Sequence, residues 1–139
     1  MTDLHRAAHL LREEGYTCVL CRDGQTLTSR ERGVKPLLSW LEEGRNLDGF
    51  SAADKVVGKA AAFLYVLLGV REVYAPVMSR PARDVFENHG IHAKFDTLSD
   101  AIRNRTNTGL CPMETAVWDI TDPKKALLAI RQKAKELNG

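Results

Sequence analysis

Residues 51–68 place the strongest constraint on how this chain can fold. Val56, Val57, Ala60, Ala61, Phe63, Leu64, Val66, Leu67 and Leu68 are apolar almost all round a helical projection. A helix of that kind is buried on more than one side, so the segment predicts a central helix with structure packed around it. The residues that follow supply a partner layer. Residues 72–78 predict a strand, 80–89 a helix ended by Gly90, and 91–95 a second strand, the β-α-β rhythm of a parallel pair.

The flanking regions complete the pattern. Asp3 caps a predicted helix over 4–14, with Leu4, Ala7, Ala8 and Leu11 on one face and Gly15 as its stop. Residues 16–22 and 25–29 alternate around Asp23-Gly24, a strong hairpin signal. Leu37, Leu38, Trp40 and Leu41 follow Pro36 and precede Gly44, which predicts a short amphipathic helix. Residues 99–103 are read as a short helix, 104–110 as a polar loop, and 112–119 and 123–137 as helices. This order implies an α/β fold of three layers.

At 139 residues the chain fits a single domain, 1–139. Its net charge of +2 is too small to imply a polyanionic partner, so no nucleic acid is indicated. The N-terminus lacks the basic start and apolar core of a signal peptide, and Lys59 and Arg71 interrupt the longest apolar run. Three cysteines cannot all pair within one chain, which agrees with free thiols in a reducing compartment. A cytoplasmic protein without membrane association is expected.

Cys111-Pro112-Met113-Glu114 sets a thiol, a helix-starting proline and a carboxylate at one predicted helix mouth. Cys111 is the N-cap, Pro112 the first helical residue, and Glu114 reaches the third position, where a carboxylate accepts orphan N–H groups. Either this is a structural cap, or a thiol at the positive end of a helix dipole serves nucleophilic or metal chemistry. Ser51 and Asp54 have capping-box spacing, and Lys55 and Lys59 lie one helical turn apart, where an anion would relieve their repulsion. Asn104 and Arg105 add donors in the loop before Cys111. Cys18 and Cys21 are three apart in a predicted strand and point to opposite faces, so they do not grip one metal. His5 and His9 share a helix face but lack the intervening Glu of a zinc motif, and His89 and His92 receive no role.

The stretches Asp54-Lys55-Val56-Val57-Gly58-Lys59-Ala60-Ala61-Ala62, Val77-Met78-Ser79 and Cys111-Pro112-Met113-Glu114 together resemble a prokaryotic family, domain of unknown function 1893. The resemblance runs from about Tyr16 to about Trp118 and implies a cytidine deaminase-like fold, a three-layer α/β/α sandwich around a mixed sheet. Zinc deaminases of that fold carry a ligand-x-Glu element opening the buried helix and Pro-Cys-x-x-Cys opening the next one. By that alignment Ala52-Ala53-Asp54 and Ser79-Arg80-Pro81-Ala82 stand at the two elements, and neither holds Cys or His. An alternative register makes Asp54 a ligand but puts Val56 at the proton carrier. Cys111 and Glu114 come one strand and two helices too late to replace Cys-x-x-Cys.

The resemblance therefore implies a deaminase fold with its zinc ligands missing, and no metal or cofactor is expected. The leading expectation is a pocket for a small polar or anionic, nucleoside- or nucleotide-like ligand. Asp54, Lys55, Lys59, Ser79, Arg80, Asn104 and Arg105 would line it beside Cys111 and Glu114. The alternatives are thiol chemistry at Cys111 with Glu114 or Asp54 as proton carrier, and a structural role in a homo-oligomer through surfaces at Trp40 or Trp118.

Overall fold

The computed structural model describes residues 2–103 and 109–138. Helix α1 (Asp3–Glu13) opens the chain, with Thr2 rather than Asp3 as its N-cap, Thr2 Oγ1 accepting from His5 N. Strands β1 (Cys18–Arg22) and β2 (Gln25–Ser29) form the expected hairpin. Asp23 and Gly24 both adopt positive φ, 47° and 88°, as a two-residue turn of this hand requires. Then follow α2 (Lys35–Glu42), β3 (Ser51–Asp54), β4 (Val56–Val57), α3 (Lys59–Leu68), β5 (Glu72–Ser79), α4 (Arg80–Asn88), β6 (His92–Ser99), α5 (Pro112–Val117) and α6 (Pro123–Asn138).

The largest departure from the sequence reading lies in 51–68. Its first third is strand, and the helix begins only at Lys59. β3 runs between β1 and β5, pairing antiparallel with one and parallel with the other. A strand buried on both faces reads as an unbroken apolar run, and periodicity cannot separate it from a buried helix. The correction removes two expectations. Ser51 is no helix cap, since its hydroxyl donates to Glu72 instead, and Lys55 and Lys59 share no helix face because Lys55 lies between β3 and β4. Residues 99–103 also form no helix: Ser99 ends β6, and Arg103 makes an isolated bridge with Leu110.

β3 and β4 are consecutive pieces of one line beside β5, keeping the same register from Ser51↔Glu72 to Val57↔Met78. The break at Lys55 falls opposite Pro76, which has no N–H for the ladder. Burial changes faces there: Ala52 gives way to Val57, Ala75 to Met78, and Phe95 to Leu98 on the same core side. The sheet is thus mixed, in the order β2, β1, β3 with β4, β5, β6, with the last members parallel.

Helix α1 covers one sheet face through Leu4, Ala7, Ala8 and Leu11 against Val19, Cys21, Ala53 and Tyr74. The other helices lie on the opposite face, where α3 is enclosed by α2, α4, α5 and α6. This is the three-layer α/β/α sandwich. Cys18 and Cys21 fall in different layers, as their spacing requires. Trp40 is buried in the α2 packing face and so offers no oligomer surface. Among the described residues, no helix is long and apolar enough to cross a membrane.

Candidate functional site

Helix α3 begins at Gly58, an N-cap without a side chain to satisfy the first N–H groups. Glu114 supplies the missing acceptor from 55 residues away: Oε2 accepts from Lys59 N at 3.0 Å and Oε1 from Ala60 N at 3.2 Å. The residue expected to serve its own helix therefore caps a different one. Only 2% of Glu114 remains exposed. Burial pushes its carboxyl above the usual range, against the lowering effect of the two N–H donors and the Lys59 charge. Gly58 makes room for this contact, because a Cβ there would stand 2.2 Å from Glu114 Oε1 and 2.9 Å from Ile102 Cγ1.

Lys59 turns outward from the same point. Its Nζ donates to the carbonyl of Trp118 at 2.7 Å and lies 5.8 Å from the centre of the Phe63 ring. Lys59 and Trp118 border a cleft of about 340 Å³ between α3, α4 and the α5–α6 turn, with Asp84, Asn88, His89 and Thr121 as its other polar lining. Trp118 is 42% exposed, an open aromatic edge on that cleft. The size falls within the range of small-molecule sites, about 300 to 1,000 Å³, and the lining is polar and apolar in nearly equal parts.

Asp54 belongs to another setting. Its Oδ2 accepts from the Tyr65 hydroxyl at 2.7 Å, and that hydroxyl is 3.1 Å from Cys18 Sγ. All three groups are buried between the sheet and α3. Desolvation raises the Asp54 carboxyl to about 7, despite hydrogen bonds from Tyr65 and from the backbone N–H groups of Val56 and Lys55. Burial also raises Cys18 and Tyr65, with the neighbouring Asp54 charge adding to both.

The other expected residues disperse. By register Asp54 stands level with Ala75, four residues short of Ser79 along the sheet, a distance of roughly 13 Å at about 3.3 Å per residue. Ser79 is fully buried and spends its Oγ as the acceptor for Ala82 N, capping α4. Arg80 is exposed and pairs with Asp100 at 2.9 Å. Lys55 is exposed, with its backbone bonded to Thr17 and Val77. Cys111 is half-buried and makes no side-chain cap bond, while its N–H donates to Ile102 O. Asn104 and Arg105 lie outside the described residues. The structure thus joins Glu114 to Lys59, and neither Asp54, Ser79 nor Cys111 lines the Lys59 cleft.

Sequence reasoning missed the Tyr65–Asp54 pair, the role of Gly58, and Asp84, Asn88 and His89. Gly58 directly before a helical apolar run was the readable sign of an N-cap needing outside help. The segment that opens the buried helix is now Gly58-Lys59-Ala60, not Ala52-Ala53-Asp54. It carries no Cys, His or carboxylate, and Ser79-Arg80-Pro81-Ala82 opens α4 equally without zinc donors. Among the described residues, no group of three or more His, Cys, Asp and Glu is placed to hold a metal ion.

The sequence matches the profile of the family described as domain of unknown function DUF1893 over residues 6–134, and the chain belongs to that family. Its structure is similar to the crystal structure of a DUF1893 family protein from Thermotoga maritima, with a TM-score of 0.86 at 24% identity, covering 96% of this chain and 91% of that one. That likeness shows the fold. Weaker likenesses occur to two deaminases. One is a diaminohydroxyphosphoribosylaminopyrimidine deaminase/5-amino-6-(5-phosphoribosylamino)uracil reductase of Thermotoga maritima, with TM-score 0.45, 16% identity, and coverage of 66% and 34%. The other is the dCMP deaminase of cyanophage S-TIM5, with TM-score 0.49, 13% identity, and coverage of 68% and 99%. No protein of curated function matches the sequence.

Proposed function

We propose that this protein binds a small anionic ligand with a planar, nucleoside-like body, without zinc-dependent deamination, in the cleft beside Lys59. The observation that carries this reading is the juxtaposition of the Lys59 ammonium with the exposed indole of Trp118 on a cleft of ligand size. An aromatic ring system stacks on an indole face, and the ammonium, which spends one donor on the Trp118 carbonyl, offers its others to a phosphate or carboxylate. Asp84 and Asn88 on α4 and His89 at its C-cap supply hydrogen-bonding partners for ring substituents. The donor set at both helix openings argues against a catalytic zinc, which needs about three protein ligands.

Thiol chemistry at Cys111 is supported less well, since both oxygens of the carboxylate nearest in sequence, Glu114, are engaged by α3 N–H groups. The test uses the indole itself. Trp118 is the exposed tryptophan and Trp40 the buried one, so a ligand on the cleft changes emission through Trp118. Titration with adenosine, cytidine, their monophosphates and inorganic phosphate is expected to give saturable quenching by a monophosphate. Trp118→Ala abolishes that signal, and Lys59→Ala weakens binding. A bound monophosphate at a hundredfold excess over its Kd also adds about 2.7 kcal/mol of stability. No quenching and no thermal shift with any of these compounds refutes the reading, as does stoichiometric zinc in the purified protein together with deaminase activity.

A further inference from the structure

A second and larger depression, about 1110 Å³, lies on the other side of α5 between α2 and α6. Val34, Leu38, Met113 and Leu137 form an apolar floor, and Arg32 and Lys35 on the α2 side face Arg131 and Lys135 on α6. Against these four cations the lining holds one carboxylate, Glu42. Lys35 is met by Glu31 at 3.8 Å. Arg131 and Lys135 stand one helical turn apart, a spacing at which like charges repel. Leu137 is 57% exposed, and Leu128, 67% exposed, follows the Arg131–Lys135 face one turn back. One of the four large hydrophobic side chains exposed among the described residues, Leu137, therefore lines this groove.

From this pattern we infer that the α2–α6 groove is the docking surface for an acidic amphipathic helix of a partner protein. A groove between two helices accepts a third by burying its apolar stripe, read at i, i+3, i+4 and i+7. Here the rim selects the charge of the flanking residues. The volume stands just above the range of roughly 300 to 1,000 Å³ usual for small-molecule sites. A second copy of this chain is a poor occupant: the exposed surfaces of α1, α4 and α6 mix Arg or Lys with carboxylates such as Glu13, Glu87 and Glu136, so none offers the acidic flanks the rim selects. A partner helix bearing leucines on one stripe and glutamates beside it satisfies the floor and the rim together.

The experiment measures fluorescence anisotropy with a labelled two-heptad synthetic helix carrying a Leu stripe flanked by Glu, and with its twin in which every Glu is Lys. The acidic helix is expected to bind saturably and the basic twin not to bind. Arg131→Glu with Lys135→Glu is expected to weaken the acidic helix about tenfold or more, since truncating or reversing interfacial charge acts on both encounter and release. Lys35→Glu on the opposite wall gives a second reading should the double variant lose its native circular dichroism. Equal binding of the two peptides, absence of saturable binding, or an affinity unchanged in both variants overturns the inference. Displacement of the peptide by an equimolar amount of dodecanoate overturns it as well, because the groove would then serve a small amphiphile.

Discussion

Helix α3 is touched by two buried carboxyls, and their surroundings are opposite in kind. Glu114 meets the helix at its N-terminus, where Lys59 and Ala60 donate backbone N–H groups and the dipole is positive. Asp54 meets it two turns later at Tyr65, beside a thiol and beneath the sheet, where its side-chain partner is a phenol. Burial raises both, but Asp54 reaches about 7. A carboxylate at a helix start is compensated by geometry that folding provides. A carboxyl inside the sandwich also accepts hydrogen bonds, but desolvation outweighs them and favours its protonated form.

The sharpest way to break this contrast is a pH series on Asp54→Asn. With the native carboxyl near 7 and an ordinary value of 3.8, the folded state holds a proton that the unfolded chain has released. Stability from this group is fully present below about 4 and is lost as pH rises through about 7, on the order of 4 kcal/mol in all. Denaturant unfolding of the parent between pH 4 and 8 should show that decline, and Asp54→Asn should flatten it. An unchanged slope in the variant would show that Asp54 is ionised in the native state.

Next in size is the other end of the helix. Glu114→Ala leaves two buried N–H groups without an acceptor and opens a void, an expected loss of about 3 kcal/mol by chemical denaturation. Gly58→Ala drives a Cβ into that carboxylate and should cost about 2 kcal/mol alone. In the Glu114→Ala background the same change should cost less, since the clashing carboxylate is gone and only Ile102 Cγ1 still crowds the Cβ. Additive losses would mean that Glu114 and Gly58 act independently.

The smallest effect is expected at the phenol. Tyr65→Phe removes one donor to Asp54 and a contact to Cys18, for about 1 kcal/mol at pH 6. Because that donor lowers the Asp54 carboxyl, the variant should move its titration upward, which the carboxyl resonance of Asp54 followed by NMR would register. A downward movement would reverse the assignment of donor and acceptor.

Much of this architecture was readable from residue order. Alternation around Asp23-Gly24 named the hairpin, and β5, α4 and β6 followed from apolar runs punctuated by Gly90. The candidate site was legible only in part. Glu114 and Lys59 drew notice for their charge and spacing, yet no local pattern states that residues 55 apart will meet. Asp54 reads as part of a helix start because Ser51 and Asp54 have capping-box spacing before an apolar run, and nothing local states that Ser51–Asp54 will lie between two strands.

What residue order by itself determined was the alternation of strand and helix, the need for layers around residues 51–68, and the shortage of zinc donors at the helix openings, since periodicity and donor chemistry are local properties. Tertiary packing alone decided where the strand yields to the helix at Gly58, which amide groups Glu114 serves, and that Asp54 faces a phenol rather than the Lys59 cleft. Those outcomes depend on which desolvated group finds a partner across the sandwich, and only the assembled layers bring such partners within hydrogen-bonding distance.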